Sequence, residues 1–263
     1  MTRFSLISRS GGAYPKLFSL YVAAGYPQID SALQVVDALE EGNEVDFIEL
    51  GMPFSDPVAD GPTIQRVNKK ALENGITVDV VLRQLEELRR RGASMPVYLM
   101  GHLNPIMQYG PEKFCDRCAE LDVSGVVVPD MPPHIYRRCY AHIFDAKGVK
   151  PVFLISPHTP DERIREIDAM SERFIYAVSS SAITGGELNV TDAARAYYAR
   201  VKRLCEKNPL IGGFGVSSKE TFDRISESLD GAVIASAYLR RLEGCDDAAR
   251  ATKNFVREIR EGR

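Results

Sequence analysis

Residues 45–62 read VDFIELGMPFSDPVADGP, and the order of the parts in this stretch indicates how the chain folds. A mostly apolar run at 45–50 is followed by a proline-rich polar loop and then by an amphipathic segment that begins at Pro62. Most such runs are apolar on both faces rather than alternating, which is typical of strands in a parallel sheet that helices cover. Seven more runs show the same pattern, at residues 17–24, 97–100, 125–128, 151–155, 174–178, 209–212 and 231–235.

The segments between these runs place apolar residues at helical spacing. They include residues 31–41, 80–91, 161–170, 192–205 and 219–228. Residue types that cap helix N-termini stand at several of the expected starts. These predicted caps are Asp30, Thr77, Asp192 and Ser218.

Eight strand-like runs, each followed by a helical segment, predict an α/β fold of the (β/α)8 or TIM-barrel type. Residues 62–74 and 78–91 both have helical character, which predicts an extra helix after strand 2, and residues 2–10 predict an extra N-terminal helix. A doubly wound open sheet has a similar rhythm but, as a rule, fewer strands. A chain of 263 residues fits one barrel, so we expect residues 1–263 to form a single domain.

Composition narrows the classes of partner. The chain carries 33 Lys and Arg against 36 Asp and Glu, so it has no strong basic field, and we do not expect nucleic acid as a partner. No apolar run is long enough to span a bilayer, and the N-terminus lacks the apolar core of a signal peptide. With an odd number of cysteines, five, the sequence predicts a cytoplasmic protein with reduced thiols and no membrane association.

Glu49 is a carboxylate inside an apolar strand, just before the strand ends. Ile48 and Leu50 point to the other side of the sheet, so the Glu49 side chain faces the barrel interior near its mouth. Active sites of such barrels lie at this end of the strands. A buried carboxyl group has a raised pKa, which suits a general acid or base. The alternative is a glutamate that anchors a loop through hydrogen bonds.

Asp56 and Asp60 lie in a loop stiffened by Pro53, Pro57 and Pro62. A rigid loop with two carboxylates could present them to a ligand or to a partner protein. The alternative for each aspartate is a turn or a helix cap, and Asp60 in particular could cap the helix that begins at Pro62.

Two glycine-rich segments, residues 211–218 and 231–237, follow the seventh and eighth predicted strands. In many barrels these two loops and a short helix form a phosphate site, because glycine lets backbone N–H groups approach an anion. Residues 184–186, with two glycines, could close over the site as a lid. The sequence therefore predicts a phosphorylated substrate, with ordinary turn glycines as the alternative.

The sequence lacks the features that several other reaction types require. No lysine stands at the C-terminal end of a predicted strand, which argues against a Schiff-base aldolase. His102 and His158 could join Glu49 as metal ligands, but no metal-binding spacing accompanies them, so no metal is predicted. Cys115 and Cys118 form a lone CxxC, which we interpret as helix surface and core. The sequence has no dinucleotide-binding motif.

The stretch 48–65 closely resembles the signature of the tryptophan synthase alpha subunit family. The resemblance extends over essentially the whole chain. It includes NPI at 104–106, VPDMP at 128–132, ITG at 183–185 and GFGVSS at 213–218.

The resemblance implies a TIM-barrel lyase that cleaves indole-3-glycerol phosphate to indole and glyceraldehyde 3-phosphate in tryptophan biosynthesis. This is a retro-aldol reaction that needs no metal and no cofactor in this chain. Members of the family work with a beta subunit that carries pyridoxal phosphate (PLP), in a complex of two alpha and two beta chains. The indole passes to the beta subunit through a tunnel.

The resemblance also implies roles for individual residues. Glu49 matches the general acid/base of the family, and Asp60 matches its second catalytic carboxylate, which stabilises positive charge on the indole nitrogen. The substrate-binding positions are Tyr21, Ile64, Met100, Val127, Leu154, Tyr176, Thr184, Phe214 and Val233. The phosphate-binding positions are Gly185, Gly215, Ala235 and Ser236. The positions that face the beta subunit are Pro53, Asp56, Pro57 and Asp130.

Three positions depart from the family pattern. Ala235 stands where glycine is usual, and its methyl group could crowd the phosphate or demand a negative φ. Ser180 replaces an arginine found in some members, and Tyr21 replaces a phenylalanine. Neither Glu49 nor Asp60 is affected.

Two alternative functions remain open from the sequence. One is a stand-alone indole-3-glycerol-phosphate lyase that releases free indole. The other is a non-catalytic allosteric subunit that activates a beta partner by binding. The presence of both Glu49 and Asp60 argues against the second.

Overall fold

The computed structural model describes residues 16–57, 60–178, 191–213 and 215–262. In these ranges eight parallel strands close into a barrel in chain order, and β8 pairs with β1. The strands are β1 Leu17–Ala23, β2 Phe47–Gly51, β3 Val97–Met100, β4 Gly125–Val127, β5 Pro151–Ile155, β6 Ile175–Ala177, β7 Leu210–Gly212 and β8 Gly231–Ile234. The predicted (β/α)8 barrel is confirmed, and the strands differ from the predicted runs only at their ends.

Helices surround the barrel within the same ranges. They are α1 Ser31–Gly42, α2 Pro62–Glu73, α3 Val78–Arg90, α4 Leu103–Tyr109, α5 Pro111–Glu120, α6 Pro133–Ile135, α7 Ala141–Ala146, α8 Asp161–Met170, α9 Asp192–Leu204, α10 Lys219–Ser228, α11 Ser236–Arg241 and α12 Ala248–Glu261, with a π-helical turn at Tyr136–Tyr140. Both α2 and α3 follow β2, so the predicted extra helix is confirmed. The predicted N-terminal helix at residues 2–10 lies outside the described residues.

Local hydrogen bonds explain where several helices begin. The side chains of Thr77 and Ser218 accept backbone N–H bonds at the starts of α3 and α10, as predicted. At α9 the capping side chain belongs to Thr191, so the prediction of Asp192 was wrong by one residue. Asp30 occupies the N-cap position of α1, as predicted, but its side chain makes no capping bond. Side-chain geometry, which the sequence pattern does not specify, decides which neighbour caps a helix.

Three aromatic rings fill the barrel interior below its mouth. Phe47, Tyr98 and Phe174 are fully buried, and their ring centroids lie 5.0 to 5.3 Å apart. Because side chains two residues apart share a face of a strand, Glu49 and Tyr176 stand one layer above this aromatic floor, toward the mouth. The fold thus places a carboxyl group on an apolar base.

At the seam between β1 and β8, Gly231 pairs with Leu17, and a Cβ atom at Gly231 would overlap the Leu17 carbonyl oxygen.

Cys115 and Cys118 of α5 are both buried, so the CxxC belongs to the core and the predicted surface contribution was wrong. Within the described ranges, no helix has the length and apolar character needed to cross a membrane.

Candidate active site

A cavity opens at the C-terminal ends of the strands, where the fold predicts an active site. It has a volume of about 130 Å³ and is partly open to solvent. Eight of the residues predicted from the sequence line it, namely Tyr21, Glu49, Asp60, Ile64, Met100, Leu154, Tyr176 and Ala235. The two acidic side chains therefore share one cavity with an apolar wall.

Glu49 is the most deeply buried acid of this cavity, with only 1% of its surface exposed. The Tyr176 hydroxyl donates a long hydrogen bond of 3.5 Å to Oε2, while Oε1 has no partner among the described residues. Burial raises the pKa of Glu49 to about 8, and the hydrogen bond from Tyr176 opposes that rise. Glu49 is therefore mostly protonated at neutral pH. Its two oxygens receive no backbone N–H bond within the described residues, so the loop-anchoring alternative lacks support.

Two tyrosines flank Glu49, and each needs a neighbouring glycine. A Cβ atom at Gly51 would overlap the Tyr21 hydroxyl, and one at Gly213 would overlap the Tyr176 hydroxyl. Burial is the main reason that the pKa of each tyrosine is raised, so both hydroxyls keep their protons. The glycines thus make room for two neutral phenols beside the carboxyl group.

Asp60 lies half-buried just before α2 and lines the cavity. The N-cap of α2 is Gly61 and no side chain caps it, so the alternative of Asp60 as a helix cap lacks support. The Asp60 backbone carbonyl accepts a 2.8 Å hydrogen bond from the Gln65 side chain, which ties the loop to the helix. Burial raises the pKa of Asp60, and the nearby His102 opposes this. His102 itself stacks on Phe54 at 4.7 Å.

The rim near β7 and β8 carries the predicted phosphate-binding positions. Gly215 has a φ of +74°, a left-handed conformation that favours glycine. Ala235 has a φ of −112°, so its backbone suits a residue with a side chain. Ser236 is buried at the first position of α11. Thr184, Gly185, Phe214 and Ser180 lie outside the described residues, as does the predicted lid.

A family model described as tryptophan synthase alpha chain matches residues 13–262. The chain belongs to this family. It is 44% identical to the tryptophan synthase alpha chain of Flavobacterium johnsoniae over 245 residues, which cover 93% of this chain and 95% of that protein. It is 42% identical to the alpha chain of Bacteroides thetaiotaomicron, over 89% of this chain and 91% of that one.

Solved structures agree with the family. The match to a chain of the tryptophan synthase complex from Pyrococcus furiosus has a TM-score of 0.82 at 35% identity and covers 92% of this chain and 97% of that chain. An alpha chain from Legionella pneumophila matches with a TM-score of 0.83 at 30% identity, over 94% of this chain and 91% of that one. Tryptophan synthase alpha chains are lyases, and this chain is an enzyme of that class.

Two of the substrate-binding positions that the family resemblance implies do not line the cavity, and neither do the phosphate-binding positions Gly215 and Ser236. Val127 and Val233 are fully buried in β4 and β8. Pro129 and Ala235, each two residues further along, line it instead. Residues two apart along a strand share a face, so the valines lie on the same side but deeper in the barrel.

Seven cavity residues were not predicted as substrate contacts, namely Met52, Asn68, Gly101, His102, Pro129, Val178 and Gly213. Met52 follows β2, His102 follows β3, and Asn68 lies on α2. His102 drew attention only as a possible metal ligand. Asn68 stands four residues after Ile64, and that spacing on a helix places both side chains on one face. This helical spacing was the signal that could have identified Asn68.

The residues expected to face a beta subunit lie on the rim of the same end. Asp56 is exposed, and Pro53 and Pro57 are partly exposed beside it. The exposed Asp130 carboxylate accepts the backbone N–H of Leu103 at 3.0 Å, and this bond secures the start of α4. Asp130 thus has a structural role in addition to any contact with a partner.

Proposed function

We propose that this chain cleaves indole-3-glycerol phosphate to indole and glyceraldehyde 3-phosphate, the step that tryptophan biosynthesis requires of the alpha chain. One observation carries the proposal. A buried glutamic acid, whose pKa burial raises, shares an apolar cavity with a second carboxyl group at the C-terminal ends of the strands. The cavity is lined by flat and aliphatic side chains that suit an indole ring.

Glu49 serves as the general acid and then as the general base. In its protonated form it gives its proton to C3 of the indole ring, which leaves a positive charge on the ring nitrogen. The resulting Glu49 carboxylate takes the proton of the hydroxyl on the adjoining glycerol carbon. The bond between C3 and that carbon breaks, its electrons restore the aromatic ring, and the carbon becomes the aldehyde. Glu49 ends the cycle protonated.

Asp60 stabilises the charged intermediate. As an ionised acceptor it binds the indole N–H, which becomes more acidic and more positive in the transition state. Its burial lets it act in a medium of low polarity, and the interaction with His102 favours the charged form that this role needs. Two carboxyl groups with different environments thus take two different roles.

The phosphate lies at the rim of β7 and β8, against the backbone of Gly215, Ala235 and Ser236. Gly185 and Thr184, as a phosphate contact and a lid residue, stay predictions from the sequence. The negative φ of Ala235 supports a backbone that can still approach the phosphate despite the methyl group.

The partner is a tryptophan synthase beta subunit that carries PLP, in a complex of two alpha and two beta chains, and this chain needs no cofactor of its own. The exposed loop with Pro53, Asp56 and Pro57, together with Asp130, forms the docking face. Met107 on α4 adds an apolar contact there, with 55% of its surface exposed. A cytoplasmic location stays a prediction from the sequence.

The test is indole release from indole-3-glycerol phosphate by the purified chain, alone and with a tryptophan synthase beta subunit. We expect slow release that rises strongly when the beta subunit is added. Fast release that the partner does not change would identify a stand-alone lyase. No release in either case, with beta activity still enhanced, would identify a non-catalytic subunit.

A further inference from the structure

Asn68 is a buried amide in the cavity to which neither the mechanism nor the family resemblance gives a role. Only 4% of its surface is exposed, and it lines the cavity one helical turn after Ile64. Its Oδ1 is fully buried and has no hydrogen-bond partner among the described residues. Buried polar groups in proteins almost always have a partner, so an unpartnered one in a ligand cavity indicates a contact with the ligand.

The position of α2 shows which part of the cavity Asn68 faces. The helix packs against β1 and α11, beside the rim that carries Ala235. Leu154, which forms part of the apolar wall, belongs to β5 on the opposite side of the barrel from β1. Asn68 therefore stands on the wall of the cavity next to the expected phosphate position at Ala235, one turn further along α2 than Ile64.

We propose that Asn68 binds the hydroxyl on the middle carbon of the glycerol chain and thereby selects substrates that carry it. This inference rests on the proposed function. Glu49 is already committed to the hydroxyl on the carbon that reacts, so the middle hydroxyl is the one without a partner. An amide can accept from a hydroxyl through Oδ1 and donate to it through Nδ2, so the two groups are complementary.

The physical consequence is discrimination against a substrate that lacks this hydroxyl. A site built to pair with a hydroxyl leaves its own polar group unpaired when the hydroxyl is missing, and binding of that analogue is penalised. An apolar side chain of the same size has no such preference. Asn68→Leu keeps nearly the same volume and removes both hydrogen-bonding atoms.

The experiment uses the reverse reaction, the condensation of indole with an aldehyde phosphate. Values of kcat/KM are measured for glyceraldehyde 3-phosphate and for 3-oxopropyl phosphate, which lacks the middle hydroxyl. We expect the ratio of the two to fall about tenfold in Asn68→Leu. Lys69→Leu places the same new side chain at the next, exposed position of α2, and its ratio stays that of the wild type. An unchanged ratio in Asn68→Leu overturns the proposal.

A binding measurement separates this inference from the proposed function. Ligand-observed NMR in the presence of indole compares glycerol 3-phosphate with 3-hydroxypropyl phosphate, neither of which reacts. Wild-type protein should bind the first more tightly, and Asn68→Leu should lose that preference. Equal affinities in the wild type overturn the role of Asn68 even if indole is turned over. A preference that depends on Asn68, without turnover in either direction, supports that role and contradicts the lyase. If Asn68→Leu does not fold, the shorter Asn68→Ser replaces it in both measurements.

Discussion

Glu49 occupies an environment that opposes its ionisation. An aromatic floor lies below it, a tyrosine hydroxyl provides its one hydrogen bond among the described residues, and solvent is almost excluded. Burial of a charge without a matched partner is expensive, so the group keeps its proton instead. Burial of Glu49 lowers the stability of the protein at high pH, where the group must ionise. The same burial provides an acid that can protonate a carbon atom near pH 7.

Replacing this acid tests the mechanism at its centre. We expect Glu49→Gln to lower indole release by at least about 10²- to 10⁴-fold, because the amide cannot donate and recover a proton. Affinity for an unreactive analogue without the glycerol hydroxyls should change little, since the amide fills the same space. Glu227→Gln, on the exposed face of α10, is the control. Turnover of Glu49→Gln within tenfold of the wild type would refute the assigned role.

The raised pKa of Glu49 also predicts how stability depends on pH. Folding raises this pKa from an unfolded value near 4.5 to about 8. Protonated Glu49 therefore contributes stability that is fully present below the unfolded pKa and is lost as pH rises through about 8. Relative to the wild type, Glu49→Gln should gain on the order of a few kcal/mol in free energy of unfolding between pH 5 and 9. Urea unfolding of both proteins at pH 5 and pH 9 measures this gain. If the free energies of unfolding of Glu49→Gln and the wild type differ by the same amount at both pH values, the prediction is contradicted.

Asp60 is expected to act through its charge. Asp60→Asn keeps the shape and loses the ionised acceptor, so we expect kcat to fall by about 10²- to 10³-fold. A substrate analogue with carbon in place of the ring nitrogen should lose this dependence. If Asp60→Asn cleaves indole-3-glycerol phosphate at the wild-type rate, the indole nitrogen is not the group that Asp60 stabilises.

At the scale of elements, short helices at the mouth of the barrel depend on side chains from other loops. The N-cap residue of α4, His102, provides no side-chain bond, and the carboxylate of Asp130 from the loop after β4 binds the N–H of Leu103 instead. The rim is therefore held together across two β–α units, which couples the cavity residue His102 to the expected docking face.

Removing that link should loosen α4. We expect Asp130→Ala to destabilise α4 by about 1 kcal/mol, as for loss of a helix cap. Hydrogen exchange of the α4 amides should become faster, and activation by a beta subunit should weaken. Asp145→Ala, which removes an exposed carboxylate on α7, is the matched control. Unchanged exchange in α4 would show that the bond to Leu103 contributes nothing.

At the scale of the whole molecule, barrel closure depends on the seam between the first and last strands. Gly231 allows β8 to approach β1 so closely that no side chain fits between them. Closure satisfies the backbone groups of both edge strands, which would otherwise be exposed. A cavity enclosed by all eight strands exists only when this seam is formed.

We expect Gly231→Ala to destabilise the protein by about 1–3 kcal/mol or more, because the new methyl group overpacks a site where backbone cannot move away. Gly42→Ala adds the same atom at the end of α1, where only the end of a glutamate side chain lies nearby, and should be neutral or slightly stabilising. Urea unfolding of both variants measures their stabilities relative to the wild type. Equal midpoints would show that the seam can yield without cost.

The order of the elements could be predicted from the sequence because each depends on nearby residues. Apolar runs, helical spacing and capping residues are local signals, and they predicted the strands, the doubled helix after β2 and the place of Glu49 in its strand. The family signature around Glu49 and Asp60 could also be recognised, because it forms one continuous stretch of sequence. The predicted cap of α9 was wrong by one residue, because Thr191 and Asp192 are both residue types that can cap a helix. Local signals do not distinguish two such neighbours.

The composition of the cavity was decided only by the tertiary structure. Closure of the barrel brings Asn68, His102 and Met52 into one cavity with Glu49 although they lie on three different segments. It also sets the depth of each strand end, so Val127 is buried below the cavity while Pro129 lines it. The sequence by itself determined the barrel and its two acids, because local patterning and a continuous motif carry that information. Which other side chains meet those acids depends on the relative heights of the eight strands, which only long-range packing settles.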